Sequence, residues 1–107
     1  MERIETTAIR NLIHNEEYCR KVLPFIKEEY FTDRLEKLIF TEIYKFVNKY
    51  NNLPTKESLS IEMNTNKGVS EDEYKRMNEI ISSLNPEPIN LDWLVETTEV
   101  WCKDRAI

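Results

Sequence analysis

Gly68 is the only glycine among the 107 residues of this chain. Glycine enters the left-handed backbone region without steric cost, so two-residue hairpin turns and backbone loops wrapped around a phosphate lean on it. One glycine and four prolines therefore disfavour a hairpin-built sheet and favour helices joined by short polar connections. The stretch around the glycine, Asn66-Lys67-Gly68-Val69-Ser70, lacks the GxxxxGK[ST] pattern, so no P-loop is present.

Apolar residues recur at helical spacing through most of the chain, which predicts an all-α fold, a compact bundle of about six helices. The first helix is expected over about 2–14, with Ile4, Ala8, Ile9, Leu12 and Ile13 on one face. Asn15 can cap a short second helix that runs to Leu23, where Pro24 ends it. Thr32 or Asp33 opens the longest helix, which ends near Tyr50; Leu35, Leu38, Ile39, Ile43, Phe46, Val47 and Tyr50 form its broad apolar face, so it is expected at the centre of the core. Thr55 caps a short helix carrying Leu59, Ile61 and Met63, after the exit turn Asn51-Asn52-Leu53-Pro54. Ser70-Glu71-Asp72-Glu73 reads as a capping box that opens a helix with Tyr74, Met77, Ile80, Ile81 and Leu84 on one side. Asn85-Pro86-Glu87-Pro88 breaks that helix, and Asn90 can cap the last one from Leu91 onward.

The last helix is apolar on two faces. At about 100° per residue, Leu91, Leu94, Thr98, Trp101 and Cys102 fall on the side expected to meet the core. Trp93, Val100 and Ile107, spaced by seven, fall together on the opposite side. Such a second face either packs within the domain or meets a partner, which makes these three residues the candidate protein interface. The helix has neither Gly nor Pro in 103–107, so it is expected to be truncated, as in a fragment of a longer protein.

The length fits one domain over 1–107 with a single modest core. A net charge of −5 opposes binding to a polyanion and favours a protein partner, with little or no direct DNA binding. No expected helix is basic enough to serve as the recognition helix of a small DNA-binding regulator. The N-terminus Met1-Glu2-Arg3-Ile4 is charged rather than signal-like, and no apolar run approaches the roughly 20 residues of a membrane span. A cytoplasmic protein with reduced thiols and no membrane contact is expected.

Chemistry-bearing residues are few. Cys19, Cys102 and the single histidine, His14, form no CxxC and no ordinary zinc set, so no metal is expected. His14 at a helix C-terminus suits an interaction with the dipole better than a role as base for a thiol. The acidic pairs Glu16-Glu17 and Glu28-Glu29 and the run Glu71-Asp72-Glu73 lack calcium-loop spacing and read as capping or solvated acids. A base-stacking platform needs aromatics interleaved with Lys or Arg on an exposed surface, and only Tyr18 near Arg20 and Lys21 faintly has that pattern. No catalytic, cofactor-binding or metal-binding residue is assigned.

Beyond periodicity, the order of segments carries a resemblance. Asn11-Leu12-Ile13, Glu17-Tyr18, Val22-Leu23-Pro24, Glu29-Tyr30-Phe31-Thr32 and Ile39-Phe40-Thr41-Glu42-Ile43 follow one another in an order that resembles the N-terminal domain of DnaB-family hexameric replicative helicases. There an acidic DDF/YF-type element leads into a helix beginning HRxIFxxI, and here Glu36-Lys37-Leu38 stands in place of the basic or His residue before the Ile-Phe pair. Leu53-Pro54-Thr55 with Leu59 is similar to the family's next turn, and Trp101 to Ile107 resembles its VxERAx helix. The stretch from Asp92 to Glu99 is most similar to the T-even-type phage members. The resemblance runs over nearly the whole chain and implies a small helical domain followed by a helical hairpin, whose copies self-associate in the helicase collar and receive primase and other replisome proteins. It implies no cofactor for this chain, since ATP and magnesium would belong to a RecA-like ATPase domain that these residues do not contain. It also implies the cytoplasm, the host's if the source is a phage. The helicase-binding domain of a DnaG-type primase, a bundle of related fold, is the nearest alternative, although the Met at position 1 argues against a C-terminal domain.

Overall fold

A computed structural model describes residues 3–66 and 68–106. Six α-helices follow in order: α1 (Ile4–His14), α2 (Glu16–Val22), α3 (Arg34–Tyr50), α4 (Lys56–Asn64), α5 (Glu71–Ser83) and α6 (Leu91–Arg105). No strand occurs among the described residues.

Local chemistry fixes most helix starts. Asn15, Thr55, Ser70 and Asn90 each accept a hydrogen bond from an amide in the first turn that follows, as their side chains predict. The Ser70–Glu73 capping box is complete, with Glu73 N–H donating to Ser70 Oγ at 3.1 Å. Asp33, rather than Thr32, opens α3 by accepting from the amides of Leu35 and Glu36. Asn51 ends it in the left-handed conformation at φ 53°, which asparagine tolerates better than most residues.

The stretch between α2 and α3 departs from expectation. α2 ends at Val22, and Pro24 lies inside a single 3-10 turn over Leu23–Phe25 instead of simply ending the helix. A second 3-10 turn follows over Glu28–Tyr30. Leu23, Ile26, Tyr30 and Phe31, in and beside these turns, are buried, so an apparently irregular connection supplies core.

Two groups of helices meet along α1 and α3. α1 packs on α2, α3 and α6, whereas α3 packs on α1, α4 and α5. The expected central role of α3 is therefore shared with α1, whose Ala8, Ile9, Leu12 and Ile13 are all buried. Fully burying a side chain the size of leucine or isoleucine contributes roughly 1.5–3 kcal/mol. On α3 the buried side chains are Glu36, Ile39, Phe40, Glu42 and Ile43, while Tyr50 is 51% exposed. Helical spacing puts Tyr50 on the apolar face; it stands outside because the core ends before the helix does, and its ring instead meets Phe46 at 4.7 Å between centroids. On α4, Leu59 and Met63 are buried but Ile61 is 65% exposed.

Buried charge ties the layers together. The Glu36 carboxylate, buried on α3, accepts from Arg3 at 2.7 Å and from Thr6 at 2.9 Å. Glu5, buried on α1, lies 3.5 Å from Arg105 at the end of α6. Phe31 packs on Phe40 at 5.0 Å and on Trp101 at 5.1 Å, joining the end of the second 3-10 turn, α3 and α6 in one aromatic cluster.

Candidate protein interface

α6 presents two chemically distinct sides. Its inner side buries Leu94, Thr98, Trp101 and Cys102. Thr98 Oγ1 donates to the Leu94 carbonyl at 2.7 Å and lies 2.8 Å from the Tyr18 hydroxyl. Because the threonine proton is already given to Leu94, the tyrosine proton is the one shared between the two hydroxyls. Trp101 meets Tyr30 and Phe31 edge-on. The Glu5–Arg105 pair then fixes the last turn against α1. With its inner side held at three levels, α6 has a set rotation, and its outer side is determined with it.

That outer side carries Trp93, 53% exposed, and Val100, 59% exposed. Seven residues of helical rise separate them by about 10 Å along the axis, with the two side chains nearly in line. Trp93 borders a small cleft of 100 Å³ with Thr7, Pro88 and Ile89 among its walls, so part of the indole rests on the α5–α6 connection. Val100 stands on the open surface. Ile107, the third candidate, lies outside the described residues. An aromatic and a β-branched residue half-exposed on one helix side form the kind of surface that releases water on docking.

Other exposed large apolar side chains are Tyr44, Tyr50 and Ile61. Helical spacing alone set Tyr50 on the apolar face and grouped Ile61 with Leu59 and Met63; the lysines at 45 and 49 beside Tyr44 and Tyr50 are a surface signal.

The groups considered for chemistry are engaged otherwise. His14 Nε2 lies 2.5 Å from the Leu84 carbonyl, so the ring donates there and tethers α1 to the end of α5. Cys19 and Cys102 are both free and buried, and burial pushes each thiol up to about 11, far from the thiolate a nucleophile needs at neutral pH. Tyr18, considered as a stacking residue beside Arg20 and Lys21, is fully buried; burial also holds its phenol well above the ordinary range. Among the described residues no group of three or more His, Cys, Asp and Glu is arranged to hold a metal ion. No described helix is long and apolar enough to cross a membrane.

Comparison with known proteins adds one relation. No family profile matches the chain. The chain is similar to the DnaB-like replicative helicase of Enterobacteria phage T4, at 32% identity over 99 residues. The similarity covers 92% of this chain and 21% of that protein, so the chain spans about a fifth of its relative's length.

Proposed function

We propose that this chain is a non-catalytic interaction domain of a replicative DNA helicase, serving collar assembly and the docking of primase and other replisome proteins. The observation that carries the reading is the 32% identity to a DnaB-like replicative helicase, which extends over 92% of the chain. The collar and primase roles are those the resemblance to DnaB-family N-terminal domains implies. ATP and magnesium belong, on this reading, to an ATPase domain elsewhere in the helicase, and the site of action is the cytoplasm, the host's if the source is a phage.

On this reading the domain contributes contact area and geometry. The exposed line through Trp93 and Val100 is the surface assigned to contact between copies or with an adjoining helix of the helicase; Ile107 continues that line by spacing alone. The net charge of −5 disfavours direct DNA contact and leaves protein partners as the main ligands. The helicase-binding domain of a DnaG-type primase receives less support, because the similarity is to the helicase.

Parallel titrations against the primase of the same replication system and against forked DNA test the proposal. Saturable primase binding with negligible DNA binding is expected. Tight, salt-sensitive DNA binding without primase binding would overturn it.

A further inference from the structure

A furrow runs along α3 on a side that α6 does not occupy. Two adjoining clefts, of 380 Å³ and 500 Å³, share Pro24 and Tyr44 and lie between the 3-10 turns and α3. From Phe40 to Asn51 the furrow follows α3 for about 16 Å, three turns of helix. Cys19, Leu23, Ile26 and Phe40 line its floor and are themselves buried, while Tyr44 rises from one wall at 43% exposure.

Near each end a hydrogen bond ties the two walls of the furrow together. At one end Thr41 Oγ1 donates to Glu28 at 2.8 Å, clamping the second 3-10 turn to α3. At the other, Arg20 donates to the Asn51 carbonyl at 3.2 Å and to its side chain at 3.3 Å, clamping α2 to the α3 terminus. A groove fixed at both ends loses little freedom when it is filled, which favours docking.

Charge distinguishes the two ends. The first has Glu28 and Glu29 against Lys27, a net acid; the second has no acid among its lining residues, and its Arg20 is balanced by Glu16 at 3.8 Å. A helix lying in the furrow has its positive N-terminal end favoured by the glutamates, while no acid lines the end that meets its negative C-terminus. A second copy of this chain fits badly. Each of its six α-helices carries at least one acid in the first turn, which would set carboxylates against Glu28 and Glu29.

We propose that this furrow docks an amphipathic helix of about three turns from a different protein, basic in its first turn, with apolar anchors at i, i+3 or i+4, and i+7 seated around Tyr44. Taking primase as the occupant rests on the function proposed above and assigns that partner to α3, leaving the Trp93 face for other contacts.

The test is a titration of primase, the probe, against four forms of the full chain: wild type, Tyr44→Glu, Glu29→Lys and Trp93→Glu. All three substituted side chains are exposed, and far-ultraviolet circular dichroism checks that each variant keeps its helices. Tyr44→Glu is expected to weaken binding at least tenfold. Glu29→Lys is expected to weaken it about threefold at low salt and less at high salt, and Trp93→Glu to leave it within twofold. Primase binding that survives Tyr44→Glu but falls with Trp93→Glu would overturn the furrow and keep the proposed function. Absence of binding to wild type would overturn both.

Discussion

The Tyr18 hydroxyl lies 2.8 Å from Thr98 Oγ1, joining α2 to α6 across 80 residues of sequence in a region closed to water. The two partners differ in what their loss would leave behind. Tyr18→Phe removes the shared proton, but Thr98 still donates to Leu94, so a cost of about 0.5–1.5 kcal/mol is expected. Thr98→Val strands the tyrosine hydroxyl in the core and is expected to cost about 1–3 kcal/mol, the desolvation of an unpaired group. Urea unfolding of both variants checks the order. A larger loss for Tyr18→Phe would show that the proton is not placed as described.

Arg3 and Glu36 make an unequal pair, since the arginine side chain is 52% exposed and the glutamate 5%. Removing the exposed member leaves a buried carboxylate supported by Thr6. Arg3→Ala is expected to cost about 1–2 kcal/mol, less than a fully buried pair because water reaches the vacated side. Adding Thr6→Val is expected to bring the total loss above the sum of the two single changes, because both serve one carboxylate. A thermal unfolding cycle over the four proteins checks this, and simple additivity would count against a shared site.

How far such features could be read in advance follows from how local they are. The caps at Asn15, Thr55, Ser70 and Asn90 were legible because a cap needs only its own side chain and the next turn. The two sides of α6 were legible because helical spacing alone separates Trp93 and Val100 from Leu94 and Thr98. The buried Glu5, Glu36 and Glu42 were not, since what permits burial of Glu5 and Glu36 is Arg105 and Arg3, distant in sequence and brought near only by packing. The burial of Phe40 and the exposure of Tyr50 depend on where neighbouring elements stop, as do the 3-10 turns that complete the α3 furrow. The furrow escaped sequence reasoning for that reason, whereas the Trp93 face did not.

Glu42 and Glu73 should respond to pH in opposite senses. Burial raises the Glu42 carboxyl above its ordinary value, partly offset by Lys45. A raised folded-state value means the native chain holds this proton more tightly than the unfolded chain, so this group's contribution becomes less favourable as pH rises through that value. Glu73 is lowered, first by its hydrogen bond with Arg34; its contribution is present above the unfolded value and is lost as pH falls through the folded one. The Glu42→Gln variant is expected to gain stability relative to wild type as pH rises from about 4 to 7. Arg34→Ala is expected to raise the Glu73 titration midpoint read by NMR. A stability difference between wild type and Glu42→Gln that stays constant across that range would show that Glu42 is solvated.

Thiol reactivity offers a direct check on the core. With both thiols at about 11, roughly one in a thousand is ionised at pH 8, before burial is counted against access. Ellman's reagent is therefore expected to report almost no free thiol in the native chain and both cysteines after denaturation. Rapid stoichiometric labelling of the native protein would mean that α2 or α6 opens readily.

Trp93 and Val100 provide the prediction closest to the proposed role. Neither contributes to the buried core, so Trp93→Glu with Val100→Glu is expected to change unfolding free energy by no more than about 1 kcal/mol, as for exposed substitutions. The same pair places two carboxylates on the side assigned to contact between copies or with an adjoining helix, where a desolvated charge opposes docking. On the proposed function, the double variant introduced into a full-length helicase carrying this domain is expected to weaken collar assembly by analytical ultracentrifugation while the isolated domain keeps its helical content. An unaltered assembly would move the interface elsewhere. A destabilised domain would instead mean that Trp93, seated beside Pro88 and Ile89, belongs to the fold more than to a partner.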